Sequence, residues 1–75
     1  MDCIKNGNEI ECVICTSYKV PLSVKPLLER IAELLGKFEF KKEDDGIFVL
    51  EDGTKIICEE AEMTWSDRCV SCKTV

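Results

Sequence analysis

Two Cys-x-x-Cys segments stand near opposite ends of this 75-residue chain, Cys12-Val13-Ile14-Cys15 and Cys69-Val70-Ser71-Cys72. They are near-copies, because Cys-Val-x-Cys is followed in both by short or polar residues, Thr16-Ser17 and Lys73-Thr74. A chain this short buries little apolar surface, and domains of its size often add a metal ion or disulfides to the hydrophobic contribution. Four thiolates in two hooks are what a closed tetrahedral zinc site requires. The spacing therefore predicts one structural Zn2+ per chain on Cys12, Cys15, Cys69 and Cys72. Such an ion would join the two ends of a single domain over residues 1–75 and contribute on the order of ten kcal/mol to folding.

The separation of the hooks departs from a compact zinc ribbon. Fifty-three residues lie between Cys15 and Cys69, where the ribbon spacing is roughly fifteen to twenty. General similarity to zinc-ribbon knuckles thus covers only the hooks, and no family resemblance extends further. A four-sulfur shell leaves no open position for an activated water, so the metal reading is structural. The same thiolates suit an iron–sulfur cluster. Alternatively, six cysteines oxidised in pairs allow about fifteen connectivities. The opening Met1-Asp2-Cys3-Ile4-Lys5 has no basic start followed by an apolar stretch, which leads to the expectation of a cytoplasmic protein with reduced thiols. A dithiol oxidoreductase would place its motif at a helix N-terminus, and neither hook is followed closely by a helix pattern. Cys58 ends the apolar run Ile56-Ile57-Cys58 and reads as core. Cys3 stands near Cys12 across a hairpin, as a substitute ligand or a disulfide partner.

Elsewhere the hydrophobic period assigns the elements. Asn6-Gly7 between alternating segments marks an N-terminal β-hairpin. Ser23 is placed to cap a helix with Pro26 in its first turn. Leu27, Leu28, Ile31, Leu34 and Leu35 form its apolar stripe, and Gly36 is placed to end it. Phe38–Lys41, Ile47–Leu50 and Thr54–Cys58 read as a three-stranded meander with turns at Asp44-Asp45-Gly46 and Glu51-Asp52-Gly53. Its middle strand, Ile47–Leu50, is apolar on both faces. One face can take the helix, and the other needs the hairpin, the C-terminal segment or a second copy of the chain. Ala61, Met63 and Trp65 alternate and suggest a further strand. The fold class is α+β: a small zinc-stabilised domain with an N-terminal hairpin and one amphipathic helix packed on an antiparallel meander.

Charge bounds the function. The net charge is −5, and eight carboxylates between Glu43 and Glu62 face the single base Lys55. That balance opposes non-specific nucleic-acid binding, which depends on Lys and Arg at phosphates. The acids at Glu43, Asp44, Asp45, Glu59, Glu60 and Glu62 point instead to a protein partner with a basic surface. The chain has no histidine, so the commonest general base is absent and no catalytic set emerges. The primary expectation is a protein-interaction module, a small regulator or inhibitor of a larger nucleic-acid-handling machine, with homodimerisation open. A zinc-ribbon-like nucleic-acid-binding accessory, supported only by Lys37, Lys41 and Lys42, and a dithiol redox protein are the alternatives. Trp65 is expected over the core or beside the metal site. If exposed, it would be a natural interface anchor.

Overall fold

A computed structural model describes residues 1–62 and 64–75. Its elements are β1 (Asp2–Asn6), β2 (Glu9–Ser17), α1 (Lys25–Leu34), β3 (Phe40–Asp44), β4 (Ile47–Leu50), β5 (Lys55–Glu62) and β6 (Asp67–Thr74). The six strands form one antiparallel sheet in the order β1-β2-β6-β5-β4-β3. The α+β class and the N-terminal hairpin therefore stand, and so does β4 as the centre of the meander. Met63, part of the alternating Ala61/Met63/Trp65 reading, lies outside the described residues.

The helix covers one face of this sheet, and it packs chiefly over β2 and β6. Leu27, Leu28, Ile31 and Ala32 are buried against Ile10, Cys12, Val70, Cys72, Ile56 and Leu50. Those strand residues share a face because side chains alternate along a strand. Ser23 Oγ accepts a hydrogen bond from the Lys25 N–H at 3.2 Å, but the residue preceding the helix is Val24, without a side-chain cap. The outer helix face carries the exposed pairs Lys25–Glu29 and Arg30–Glu33.

The helix ends as its sequence dictates. Gly36 has φ +71°, a left-handed conformation that favours glycine. The Gly36 N–H reaches the Glu33 carbonyl at 3.0 Å and the Lys37 N–H reaches the Ala32 carbonyl at 2.8 Å, which is the Schellman arrangement. Lys37 is thereby delivered to the β4–β5 turn, where its Nζ lies 3.6 Å from Asp52 Oδ2. The Asp52 carboxyl is held below its ordinary value of 3.8, first by the Thr54 backbone N–H, then by the Thr54 hydroxyl, with Lys37 adding a smaller pull.

Two expectations give way here. The strand after the helix begins at Phe40 rather than Phe38, because the Phe38 N–H is taken by Glu51 Oε1 at 2.7 Å in the turn out of the helix. Neither the hairpin nor the C-terminal segment covers the second face of the meander. Both extend the sheet sideways, since β6 inserts between β2 and β5.

Two outcomes follow for stability. Gly46 combines φ +71° with a Cβ position only 2.8 Å from the Cys58 carbonyl oxygen. Gly46→Ala should therefore lower the melting temperature more than Gly36→Ala, by roughly 2 kcal/mol or more against about 1 kcal/mol. For Asp52, the lowered folded-state value means that its stabilising contribution is present above 3.8 and is lost as the pH falls through that lowered value. Asp52→Asn should flatten this acid limb in thermal melts taken down the acid range.

Candidate functional site

The cysteines settle the zinc question against the sequence reading. All six are oxidised, as Cys3–Cys12, Cys15–Cys69 and Cys58–Cys72, with no free thiol left. Each Cys-x-x-Cys segment runs along a strand rather than around a turn. Residues three apart on a strand point to opposite faces, so Cys12 and Cys15 cannot converge on one ion, nor can Cys69 and Cys72. Among the described residues no cluster of His, Cys, Asp or Glu is arranged to hold a metal. The zinc ligands and the zinc-stabilised, zinc-ribbon-like description are therefore corrected to a disulfide-stabilised sheet.

The pairing follows from strand geometry. Cys3, Cys12, Cys72 and Cys58 stand in one row across β1, β2, β6 and β5. Directly opposed residues in antiparallel strands alternate between close sites, without mutual hydrogen bonds, and wider hydrogen-bonded ones. The three disulfides have Cα separations of 4.1, 4.0 and 4.0 Å and so occupy close sites. A residue in a close site toward one neighbour presents a wide site to the other. Hence Cys12 joins Cys3 although Cys72 also stands opposite it. The second hook mirrors the first because Cys12 and Cys15 of β2 are in register with Cys72 and Cys69 of β6. Equal Cys-x-x-Cys spacing in two segments is the sequence signal for this register, and on strands it signals cross-strand pairing rather than chelation.

Cys12 and Cys72 are fully buried under the helix. The Cys15–Cys69 bond lies on the opposite face, toward the β5–β6 hairpin tip, and Cys15 is exposed.

That tip carries the most prominent exposed side chain. Trp65 is 94% exposed, which corrects the expectation that it packs on the core. The turn beneath it is organised by Thr64, whose Oγ1 accepts from the Ser66 N–H at 3.2 Å and the Asp67 N–H at 3.0 Å. The tip is fixed laterally as well. The Tyr18 N–H donates to the Ser66 carbonyl at 3.1 Å, and Arg68 reaches the Val20 carbonyl at 3.4 Å. The Arg68 guanidinium also lies 5.4 Å from the Tyr18 ring centroid. Trp65 on this braced turn and Tyr18 and Val20 on the segment after β2 are thus exposed at one end of the sheet. Tyr18, Val20 and Arg68 were not singled out in the sequence, and only the β2–β6 register brings them to Trp65.

No protein-family model, curated protein or solved structure matches this chain.

The acidic residues are divided. Glu43, Asp44 and Asp45 lie at the β3–β4 turn, which adjoins β5 where the Cys58 N–H donates to the Gly46 carbonyl at 2.7 Å. Within it Glu43 pairs with Lys55 at 3.7 Å and Asp45 with Lys42 at 3.1 Å. Glu59 and Glu60 are neighbours on β5 and therefore point to opposite faces. Glu62 stands in register with Arg68. The basic cluster is likewise split: Lys37 is engaged by Asp52 and Lys42 by Asp45, while Lys41 lies on the sheet face away from the helix.

Exposure orders the disulfides by reactivity. Under limiting dithiol, Cys15–Cys69 should open first, read by alkylation and peptide mass mapping, with Cys3–Cys12 and Cys58–Cys72 following. Its loop spans 54 residues against 14 for Cys58–Cys72. In the chain-entropy account that corresponds to about 4 against about 3 kcal/mol. The Cys15→Ser/Cys69→Ser pair should therefore lower the melting temperature more than Cys58→Ser/Cys72→Ser, apart from packing losses at the buried site. A chelator should leave both melts unchanged.

Proposed function

We propose that the protein is a disulfide-stapled interaction module that binds another protein through the braced Trp65 tip, acting as a regulator or inhibitor of a larger assembly. The observation that carries this reading is the 94% exposure of a tryptophan on a turn held by side-chain and cross-strand hydrogen bonds. Leaving so much apolar surface in water is unfavourable, and interface hot spots are enriched in Trp, Tyr and Arg. All three residue types occur together here. A rigid turn also reduces the ordering entropy lost on binding.

The chemistry of the partner follows from charge. Glu43, Asp44, Asp45, Glu59 and Glu60 are exposed on a chain of net charge −5, which suits a basic surface around an apolar pocket. A nucleic-acid-handling protein has such surfaces. Direct nucleic-acid binding is less well supported, because two of the three clustered lysines already face carboxylates.

The compartment is revised with the cysteines. Among the described residues no helix is long and apolar enough to cross a membrane. Three disulfides are more typical of a secreted or extracellular protein than of a cytoplasmic one, so the reduced-cytoplasm expectation gives way to an oxidising setting.

The test is affinity capture with wild-type protein, followed by titration of the captured partner. Trp65→Ala should keep the thermal stability within about 0.5 kcal/mol, as expected of an exposed site, and weaken binding about thirtyfold or more. Glu59→Gln/Glu60→Gln should weaken it several-fold and shift the salt dependence. Undiminished binding by Trp65→Ala would remove the tip from the interface.

A further inference from the structure

The two edges of the sheet are not equivalent. β3, at one end of the strand order, carries the adjacent Lys41 and Lys42, and its register with β4 shifts between Lys42 and Asp44. Lysines and a bulge are the devices by which an edge resists further pairing. β1, at the other end, pairs with β2 in unbroken register from Asp2 to Asn6. Its central residue, Ile4, is 71% exposed.

The first disulfide sets the phase of the backbone groups on β1. Cys3 and Cys12 stand opposed with a Cα separation of 4.1 Å, a close site whose residues do not hydrogen-bond to each other. Asp2, Ile4 and Asn6 therefore turn their N–H and C=O groups toward Val13, Glu11 and Glu9 of β2. The N–H and C=O groups of Cys3 and Lys5 point away from the sheet, and among the described residues no strand lies beyond them.

We propose that β1 pairs antiparallel with β1 of a second copy, about a two-fold axis between the two Ile4 residues and perpendicular to the sheet. Cys3 of each copy then exchanges both backbone hydrogen bonds with Lys5 of the other, which satisfies all the outward groups of β1. Ile4 meets its counterpart at a close site, Asp2 faces the Asn6 amide, and Lys5 faces Cys3. No like charges are opposed. Centring the pair on Lys5 would set Lys5 against itself, and centring it on Cys3 would set Ile4 against Asp2. Glu11 lies one strand further back beside Ile4, about 14 Å from its counterpart at the usual strand spacing, beyond the screening length of about 8 Å. The helices fall on the same face. Centred over β2 and β6, they stand about 19 Å apart, which leaves room for helices about 10–12 Å wide. Two-fold contacts of this kind are the commonest in homo-oligomers. A strand pair this short buries less than the roughly 800 Å² per partner of a standard interface, so half-association is expected on the order of 100 µM. The β1 edge is separate from the Trp65 tip and does not depend on the reading given for it.

Sedimentation equilibrium of the intact oxidised protein, carried up to about 1 mM, tests the pairing together with amide hydrogen exchange. The expected result is a rise toward twice the chain mass, with the Cys3 and Lys5 amides exchanging more slowly as concentration increases. Lys5→Pro removes one outward donor from each copy and leaves the β1–β2 ladder intact. It should weaken the dimer about tenfold or more, with circular dichroism confirming the fold. Ile4→Lys and Ile4→Glu should each weaken it similarly, because like charges then meet at the axis. An equimolar mixture of the two should associate several-fold more tightly than either variant alone. A monomer mass throughout the series would overturn the proposal. So would a dimer indifferent to these substitutions, or a mixture that associates no better than its components.

Discussion

The antiparallel pairing of β2 with β6 brings residues 11–17 alongside residues 67–73, joining segments from opposite ends of the sequence. Once that register is set, Cys15 meets Cys69, and Cys12 and Cys72 are left to bond outward to β1 and β5. The platform under the helix is completed by Ile10 and Cys12 from one strand and Val70 and Cys72 from the other. The meander attaches through β5, the outer neighbour of β6. Slipping this register by one residue would move the hydrophobic set to the wrong face and take every cysteine away from its partner. The fold therefore depends on one long-range pairing, and it is covalently fixed on both sides of the sheet.

Much of the secondary structure was readable because local chemistry determines it. Asn6-Gly7 and Asp44-Asp45-Gly46 occur at turns, and the stripe Leu27, Leu28, Ile31 is the buried helix face. Gly36 ends the helix by the hydrogen bonds its position implied. What could not be read is the placement of distant segments. Nothing local says that β6 enters between β2 and β5, and this insertion is what centres the helix on β2 and β6. The first meander strand starts at Phe40 and not Phe38 for a related reason, since Phe38 is held by Glu51, thirteen residues on.

The candidate site was readable in part. The cysteines carried the architecture, but a Cys-x-x-Cys spacing has opposite meanings on a turn, where the sulfurs converge, and on a strand, where they diverge. The preceding alternation of Ile10 and Cys12 favoured the strand. Trp65 was visible as a possible anchor, yet its exposure depends on where the β5–β6 hairpin projects beyond its neighbours. The run of acids read as one surface is dispersed by the period of two, which sends Glu59 and Glu60 to opposite sides.

The order of the bonds along the chain has a consequence for a molecule met by proteases. Cys15–Cys69 and Cys58–Cys72 interlace, each bond having one cysteine inside the span of the other and one outside it. A single cut anywhere between Cys15 and Cys72 leaves its two fragments covalently tied. Within Cys3–Cys12 the first bond does the same. Only the short stretch between Cys12 and Cys15, inside the sheet, would separate two cysteine-bearing pieces. The connecting segment between β2 and the helix, the turns and the Trp65 hairpin can thus each be nicked without the body coming apart, so cleavage would change the molecule's ends but not its unity.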